Sequence, residues 1–257
     1  MAAQDKSIYE IFEITSNNGT KTADLVRGVV SFSYHENILS PMITAQAIIS
    51  NTGNTIVDED GEMSSIYNGL PLNGGEKVDI KIASTGLGPD LEFTKKNGNE
   101  LYVSSITDVK IGAEKESFVL NLVSREAITN ETARVGSKFP SSQKISDSIK
   151  DIVKKFLVSE KNIDVDETQN PYGFLGNMRK PFYLLTWLAS KSVASKVGGK
   201  NATAGYFFFE TKEGYHFRSV DSLVSGVPFE REYTYSPGIV DNQDCLLYTS
   251  PSPRDRH

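Results

Sequence analysis

The chain has 257 residues, 38% of them hydrophobic, and a formal net charge of −6. That is enough apolar material for one large core or two modest ones, and the acidic balance argues against a surface that grips nucleic acid by neutralising phosphates. No N-terminal stretch pairs a basic start with an apolar segment as a signal peptide does. No apolar run approaches the roughly 20 residues of a bilayer-crossing helix, so the expectation is a chain that folds in the cytoplasm without a membrane anchor.

Residues 8–134 read as β-rich. Ile8 to Ile14 alternates imperfectly in β-branched and aromatic residues, and Asn17-Asn18-Gly19 marks a turn. Strands are expected at Val26–Tyr34 and Pro41–Ser50. Lys77 to Ile82 alternates cleanly, with Val78, Ile80 and Ile82 on one face and Lys77, Asp79 and Lys81 on the other. Leu101–Ile111 and Glu116–Ser124 complete the set, and Phe118 to Val123 is apolar enough for burial on both faces. Such strands with polar turns between them point to a barrel or sandwich.

The pattern changes after Arg134. Between Gln143 and Ser159, the residues Ile145, Ile149, Ile152, Val153, Phe156 and Leu157 share one helical face. Ser141 or Ser142 is placed to cap its start, and Lys154 and Lys155 sit at its C-terminal end, where cations are favoured. A loop through Asn170-Pro171 and Gly173 leads to a second predicted helix, Pro181 to about Lys196, ended by Gly198-Gly199. Leu184, Leu185, Leu188 and Ala189 form its buried stripe, with Trp187 alongside. A hairpin follows: Tyr206–Glu210, a turn over 211–214, then Tyr215–Val220. Residues 137–225 therefore read as a compact α/β unit. Arg231–Tyr235 reads as a strand again, so residues 226–244 are expected to return to the barrel. The fold class is α+β: a β-barrel interrupted by an inserted α/β domain with two helices and a hairpin.

The run Cys245-Leu-Leu-Tyr-Thr-Ser-Pro-Ser-Pro-Arg-Asp255 is identified as the translation of a transposase-based sequencing adapter. The expectation is that residues 245–257 are not native and that the natural chain was cut near Asp244. Deleting the chain from Cys245 onward should then leave the thermal midpoint unchanged, and a fall of several degrees would refute the adapter reading.

Candidate chemistry is sparse. The histidines are His35, His216 and His257, with no H-x-E or H-x-x-x-H spacing for zinc. No serine lies in G-x-S-x-G. Asp58-Glu-Asp-Gly-Glu62 has the flavour of a calcium loop without its ligand pattern, and reads better as an acidic hairpin tip. Gly86-Leu-Gly88 lacks the helix start of a nucleotide fingerprint. Asp164, Asp166 and Glu167 could be paired glycosidase acids, but a solvated connector is the plainer reading. Asn18, Asn130 and Asn201 match the glycosylation sequon, which carries meaning only in a secreted chain. Trp187, Tyr206, Phe207, Phe208, Phe209, Tyr215 and Phe217 are read as core of the α/β unit rather than as a sugar-stacking platform. No catalytic, cofactor-binding or metal-ligating residue is assigned.

Three stretches in order carry a resemblance: the amphipathic helix from Gln143, then Arg179-Lys-Pro-Phe-Tyr-Leu-Leu-Thr-Trp-Leu-Ala189, then Gly205 to Leu223. After a β-rich region, they resemble the central baseplate hub proteins of T-even-type contractile-tailed bacteriophages. The resemblance implies a homotrimeric hollow cylinder in the virion baseplate, each subunit giving two barrels of the tail-tube type. It implies partners in the central spike protein, the tail tube or tube-initiator protein and the baseplate wedge proteins. It also implies a lumen through which DNA passes without specific binding. Residues 1–134 would be the first part of one barrel, and a second barrel would lie beyond Asp244. Competing readings are another tube-like component such as a tube initiator, a tail-associated cell-wall hydrolase, and a carbohydrate-binding β-module.

Overall fold

A computed structural model describes residues 8–52, 56–57, 63–70, 72–84, 90–112, 115–195 and 205–225. In chain order these form β1 (Ile8–Thr15), β2 (Thr22–Asp24), β3 (Val29–His35), β4 (Thr44–Thr52), β5 (Ile56–Val57), β6 (Met63–Ser64), α1 (Ile66–Gly69), β7 (Lys77–Ala83), β8 (Leu91–Phe93), a short 3-10 turn at Lys95–Asn97, β9 (Leu101–Ile111) and β10 (Lys115–Ser124). Then come α2 (Arg125–Thr132), β11 (Lys138–Phe139), α3 (Ile145–Lys155), β12 (Ile163–Val165), β13 (Phe174–Leu175), α4 (Pro181–Ala189), β14 (Tyr206–Thr211), β15 (Gly214–Ser219) and α5 (Val220–Val224).

The main sheet runs β2-β1-β7-β9-β10-β4-β3, with β8 on β7. Every pairing in it is antiparallel. It curls until strands far apart in that order touch. Phe12 of β1 meets Phe32 of β3 edge-on with ring centroids 6.0 Å apart, and Tyr34 of β3 lies 5.1 Å from Phe93 of β8. The expected barrel is thus a curled sheet, whose end strands β2 and β3 do not pair with each other among the described residues. Register shifts in β1, β3 and along β9–β10 help to bend it. The shift at Tyr9/Ile11 also explains the imperfect alternation of β1, because it moves the inward phase from Tyr9 to Phe12 and Ile14.

Inside the curl, Phe12, Ile14, Ala45, Ala47, Ile49, Val78, Ile80, Leu101, Val103, Phe118, Leu120 and Leu122 form one core. Ile82 packs against it from the edge, as its place on the predicted inward face of β7 requires. On β10, Val119 is buried as well and Val123 packs against a second core, while Asn121 between them makes hydrogen bonds to Gln46, Ser105 and Thr107. Two-faced burial therefore holds on either side of Asn121.

The second core gathers α2, α3, α4 and the sheet β12-β15-β14, where β12 runs parallel to β15. The predicted helical face of α3 is buried at Ile145, Ile149, Ile152, Val153 and Leu157. Neither Ser141 nor Ser142 caps it. The N–H of Ser146 is taken instead by Thr168 Oγ1, at 3.1 Å. Likewise Asn130 of α2 accepts the N–H of Phe182 at 2.8 Å in the first turn of α4. That helix stops at Ala189, well short of Lys196: the Ser190 and Ser192 hydroxyls donate to the carbonyls of Trp187 and Leu188 at 2.7 and 2.8 Å, and the chain then pairs with the 167–169 segment, where Ala194 bridges Thr168 and Val193 accepts the N–H of Gln169 at 2.9 Å.

The hairpin forms as expected, with Lys212 and Glu213 between its strands. Its aromatics split by the strand period rather than all entering the core. Tyr206, Phe208, Tyr215 and Phe217 are buried, in stacked pairs with centroids 4.6 Å (Tyr206–Phe217) and 5.4 Å (Phe208–Tyr215) apart. Phe207 and Phe209 point the other way and are half-buried, as is Trp187. Gly214 has φ +132°, and a Cβ there would stand 2.3 Å from the Asn162 carbonyl oxygen, which accepts the N–H of Tyr215 at 2.8 Å. Gly214→Ala should cost more than about 1 kcal/mol in a urea titration, since both the backbone conformation and the close approach exclude a side chain.

The expectations for Asp58–Glu62, Gly86-Leu-Gly88, Gly198-Gly199, Asn201, Arg231–Tyr235 and Cys245–His257 lie outside the described residues.

Candidate functional site

The residues singled out in the sequence do not converge. His35 ends β3 and is exposed. His216 lies on β15, stacked on Phe209 at 5.1 Å, with Nε2 2.9 Å from Thr211 Oγ1. Asp164 and Asp166 are not a solvated connector. Asp164 belongs to β12 and pairs with Arg218, while Asp166 accepts the N–H of Ser219 at 2.8 Å and lies 3.3 Å from Arg218 Nε. These carboxylates fasten β12 to β15. Glu167 points elsewhere, to Lys144 at 3.2 Å. Among the described residues no group of three or more His, Cys, Asp or Glu side chains could hold a metal ion.

The convergence of charge lies where no local pattern pointed to it. Lys161, on the connection from α3 to β12, reaches into the junction of the two cores and bridges two carboxylates. Its Nζ stands 2.8 Å from Glu126 Oε2 on α2 and 2.7 Å from Glu210 Oε1 on β14. The three side chains are 11%, 2% and 0% exposed. Glu126 Oε1 accepts the Ser159 hydroxyl at 2.6 Å. Glu210 Oε2 accepts the Ser124 hydroxyl at 2.7 Å and the N–H of Ile43, just before β4, at 3.0 Å. Glu210 thus ties the hairpin of the second core to two strands of the first. A second tie runs nearby, where Glu36 after β3 accepts the Lys212 N–H of the hairpin turn at 2.7 Å and the Tyr34 hydroxyl.

Burial opposes ionisation of all three groups, and their partners oppose burial. For Lys161, desolvation alone would lower the pKa, but the two carboxylates more than offset it and hold the ammonium charged. For Glu126, burial pulls upward and is outweighed by Lys161 and Ser159, so its carboxyl sits below the usual range. Glu210 is the more deeply enclosed, and there burial wins over Lys161, Ser124 and Ile43, pushing its carboxyl up. All four carboxylate oxygens are occupied by protein donors. The bonds the cluster makes fasten α2, the α3–β12 connection and the hairpin to the end of β10 and the start of β4. A polar cleft of about 330 Å³ lies against it, with Phe93, Asn97, Asn99, Lys161, Thr211 and Glu213 in its walls.

Two more buried glutamates act as loop staples. Glu76 accepts the backbone N–H groups of Asn73 and Gly74 and the Asn17 amide. Glu116 takes Asn51 and the first N–H of α1, at Ile66. Sequence reasoning missed them all, since a glutamate in a β-rich segment looks solvent-facing until the backbone it receives is known.

No protein-family model matches the chain, and no curated protein matches it either. Among solved structures the chain is similar to the 43 kDa tail protein of prophage MuSo2 from Shewanella oneidensis, with a TM-score of 0.51 at 11% identity over 81% of this chain and 54% of that one. It also matches a tail protein from Neisseria meningitidis, with a TM-score of 0.47 at 9% identity over 80% and 49% of the two chains. A third match is an E. coli component of the type VI secretion system described as structurally similar to the T4 bacteriophage tail proteins gp27 and gp5, at 0.42 and 9% identity over 84% and 47%. The chain spans about half the length of the tail proteins it matches. Over most of its length, it has the fold of a phage tail protein.

Proposed function

We propose that the protein is a structural, non-catalytic subunit of a contractile-tail baseplate hub, working in the virion as a homotrimer between the tail tube or tube initiator and the central spike. The observation that carries this reading is the fold shared with a prophage tail protein over 81% of the chain. The sequence resemblance to hub proteins adds the finer assignment. Residues 1–134 would then supply a tube-type barrel wall, 137–225 the inserted domain, and 226–244 the return to the wall. The α/β core fastened to the curled sheet through Glu210 and Glu36 speaks against a plain tube protein, which would need the sheet alone.

The function is mechanical: a wall that transmits load between tube, spike and wedge proteins while DNA slides through. A wall of an acidic protein gives phosphates no counterion-release gain, so the genome passes without being held. The test is to express the natural gene at full length, alone and with a central spike protein of the same virion, and measure masses in solution. A trimer that binds the spike is expected. A strict monomer that ignores the spike, or cleavage of peptidoglycan by the purified protein, would overturn the reading.

A further inference from the structure

The curled sheet has two unlike outer surfaces. On β1 and β7 the side chains that alternate with the core residues include Glu13, Lys77, Asp79 and Lys81, and Lys81 pairs with Glu10 at 2.6 Å. This is the charged surface that an antiparallel sheet usually turns to bulk water. On β3, β4, β10 and β9 the register lines up two rows of another kind. One row is Ser33, Gln46, Asn121 and Ser105. The other is Ser31, Ile48, Val119 and Thr107. Both face away from the core residues Ala45, Ala47, Leu120 and Leu122. Each row crosses four strands, and neither holds a charge. Charge returns beyond them at Lys110, the register partner of Ser117.

The polar side chains of these rows bind one another. Gln46 Nε2 donates to Asn121 Oδ1 at 3.1 Å. Asn121 Nδ2 donates to Ser105 Oγ at 3.2 Å and to Thr107 Oγ1 at 3.3 Å. The network joins β4, β10 and β9, while Ser31, Ser33, Gln46, Ser105 and Thr107 remain exposed. The apolar members are Ile48, 39% exposed, and Val119, already buried. The rows hold no tryptophan, tyrosine, phenylalanine, methionine or arginine, the residues that anchor protein partners.

We propose that this uncharged face of β3, β4, β10 and β9 lines the lumen of the assembled hub and is the surface past which the DNA slides. The inference deepens the hub reading and rests on it. A cation in the wall would release counterions from the duplex and hold it, and a carboxylate would repel it. Hydroxyls and amides do neither, because each hydrogen bond they make to a phosphate replaces one to water at small net gain. The charged face on β1 and β7 lacks that neutrality, which is why the assignment falls on the other half of the sheet.

The experiment uses the protein from the full-length natural gene, assembled, with Ser33→Cys or Ser105→Cys; the unsubstituted protein reports any thiol of its own. Each is treated with a small maleimide and with one coupled to a globular protein too wide for a DNA channel. The small reagent should label both positions and the wide one neither. Labelling by the wide reagent would put the face on the outside, and labelling by neither would make it a subunit contact; both results overturn the proposal. In a second measurement, Ser33→Lys with Ser105→Lys places two lysines on each of three subunits. That assembly should retain linear duplex DNA, with affinity falling about a thousandfold between about 50 and 200 mM salt. No salt-sensitive retention would mean that DNA does not reach the face, and would overturn the proposal too. A trimer that binds the spike yet fails either measurement loses the face alone. A chain that stays monomeric and ignores the spike sinks the hub reading, and the face with it.

Discussion

Lys161→Met should destabilise the protein by about 3–5 kcal/mol at neutral pH, the usual cost of breaking a buried ion pair from one side. The reason is what remains. Glu126 and Glu210 are 2% and 0% exposed on the side-chain scale, and without the ammonium between them they become two buried carboxylates with no cation. Methionine fills the volume but cannot donate a hydrogen bond. The loss should depend on pH with a definite sign. In the wild type, Glu126 has a lowered folded pKa, so its contribution is present above the unfolded pKa and is lost as pH falls through the folded value. Glu210 has a raised folded pKa, so its contribution runs the other way, present below the unfolded pKa and lost as pH rises through the folded one. The two contributions therefore run in opposite directions as pH falls. In Lys161→Met both carboxyls are favoured in the protonated form, so the deficit against wild type should shrink as pH falls below about 5.

Urea unfolding of both proteins at a series of pH values measures this directly. Adding Glu210→Gln to Lys161→Met should recover part of the loss, because the amide oxygen can still accept from Ser124 and Ile43 without carrying charge. A single substitution that is neutral at every pH would mean that the cluster does not hold the cores together.

Leu188→Ala should cost about 2–5 kcal/mol, the range for removing a large side chain from a packed site. Leu188 is 0% exposed, in the core that α4 shares with α3 and the hairpin. Its neighbours there include the stacked pairs Tyr206–Phe217 and Phe208–Tyr215, rigid rings that cannot easily collapse into a void. The control sits on the same helix. Tyr183 is 52% exposed, and Tyr183→Ala should change stability by only about 0.5 kcal/mol. Equal losses at the two positions would mean that the helix does not present the face assigned to it.

The helical face of α3 and the inward face of β7 could be read from the sequence because each is a local, periodic property of a continuous segment. The same holds for the hairpin, whose turn residues lie between two aromatic runs. The helix α2 was missed for the opposite reason. Its buried residues are Glu126, Ala127 and Asn130, so its inward face carries almost no hydrophobic signal. It reads as the tail of a β-rich region until Lys161 and Phe182 arrive to pair with it.

The candidate site was legible in none of its parts. Lys161 lies 35 residues from Glu126 and 49 from Glu210, and each looks like an ordinary surface charge on its own segment. The alternation of β7, the faces of α3 and α4, and the hairpin were determined by the sequence alone, because apolar period is set by residues within one or two turns of each other. The curl of the sheet, the helix caps from Thr168 and Asn130, and the glutamate–lysine–glutamate bridge were decided only in the tertiary structure. A buried charge or an orphan N–H is tolerated only when a partner from elsewhere in the chain completes it, and no local pattern records where that partner will come from.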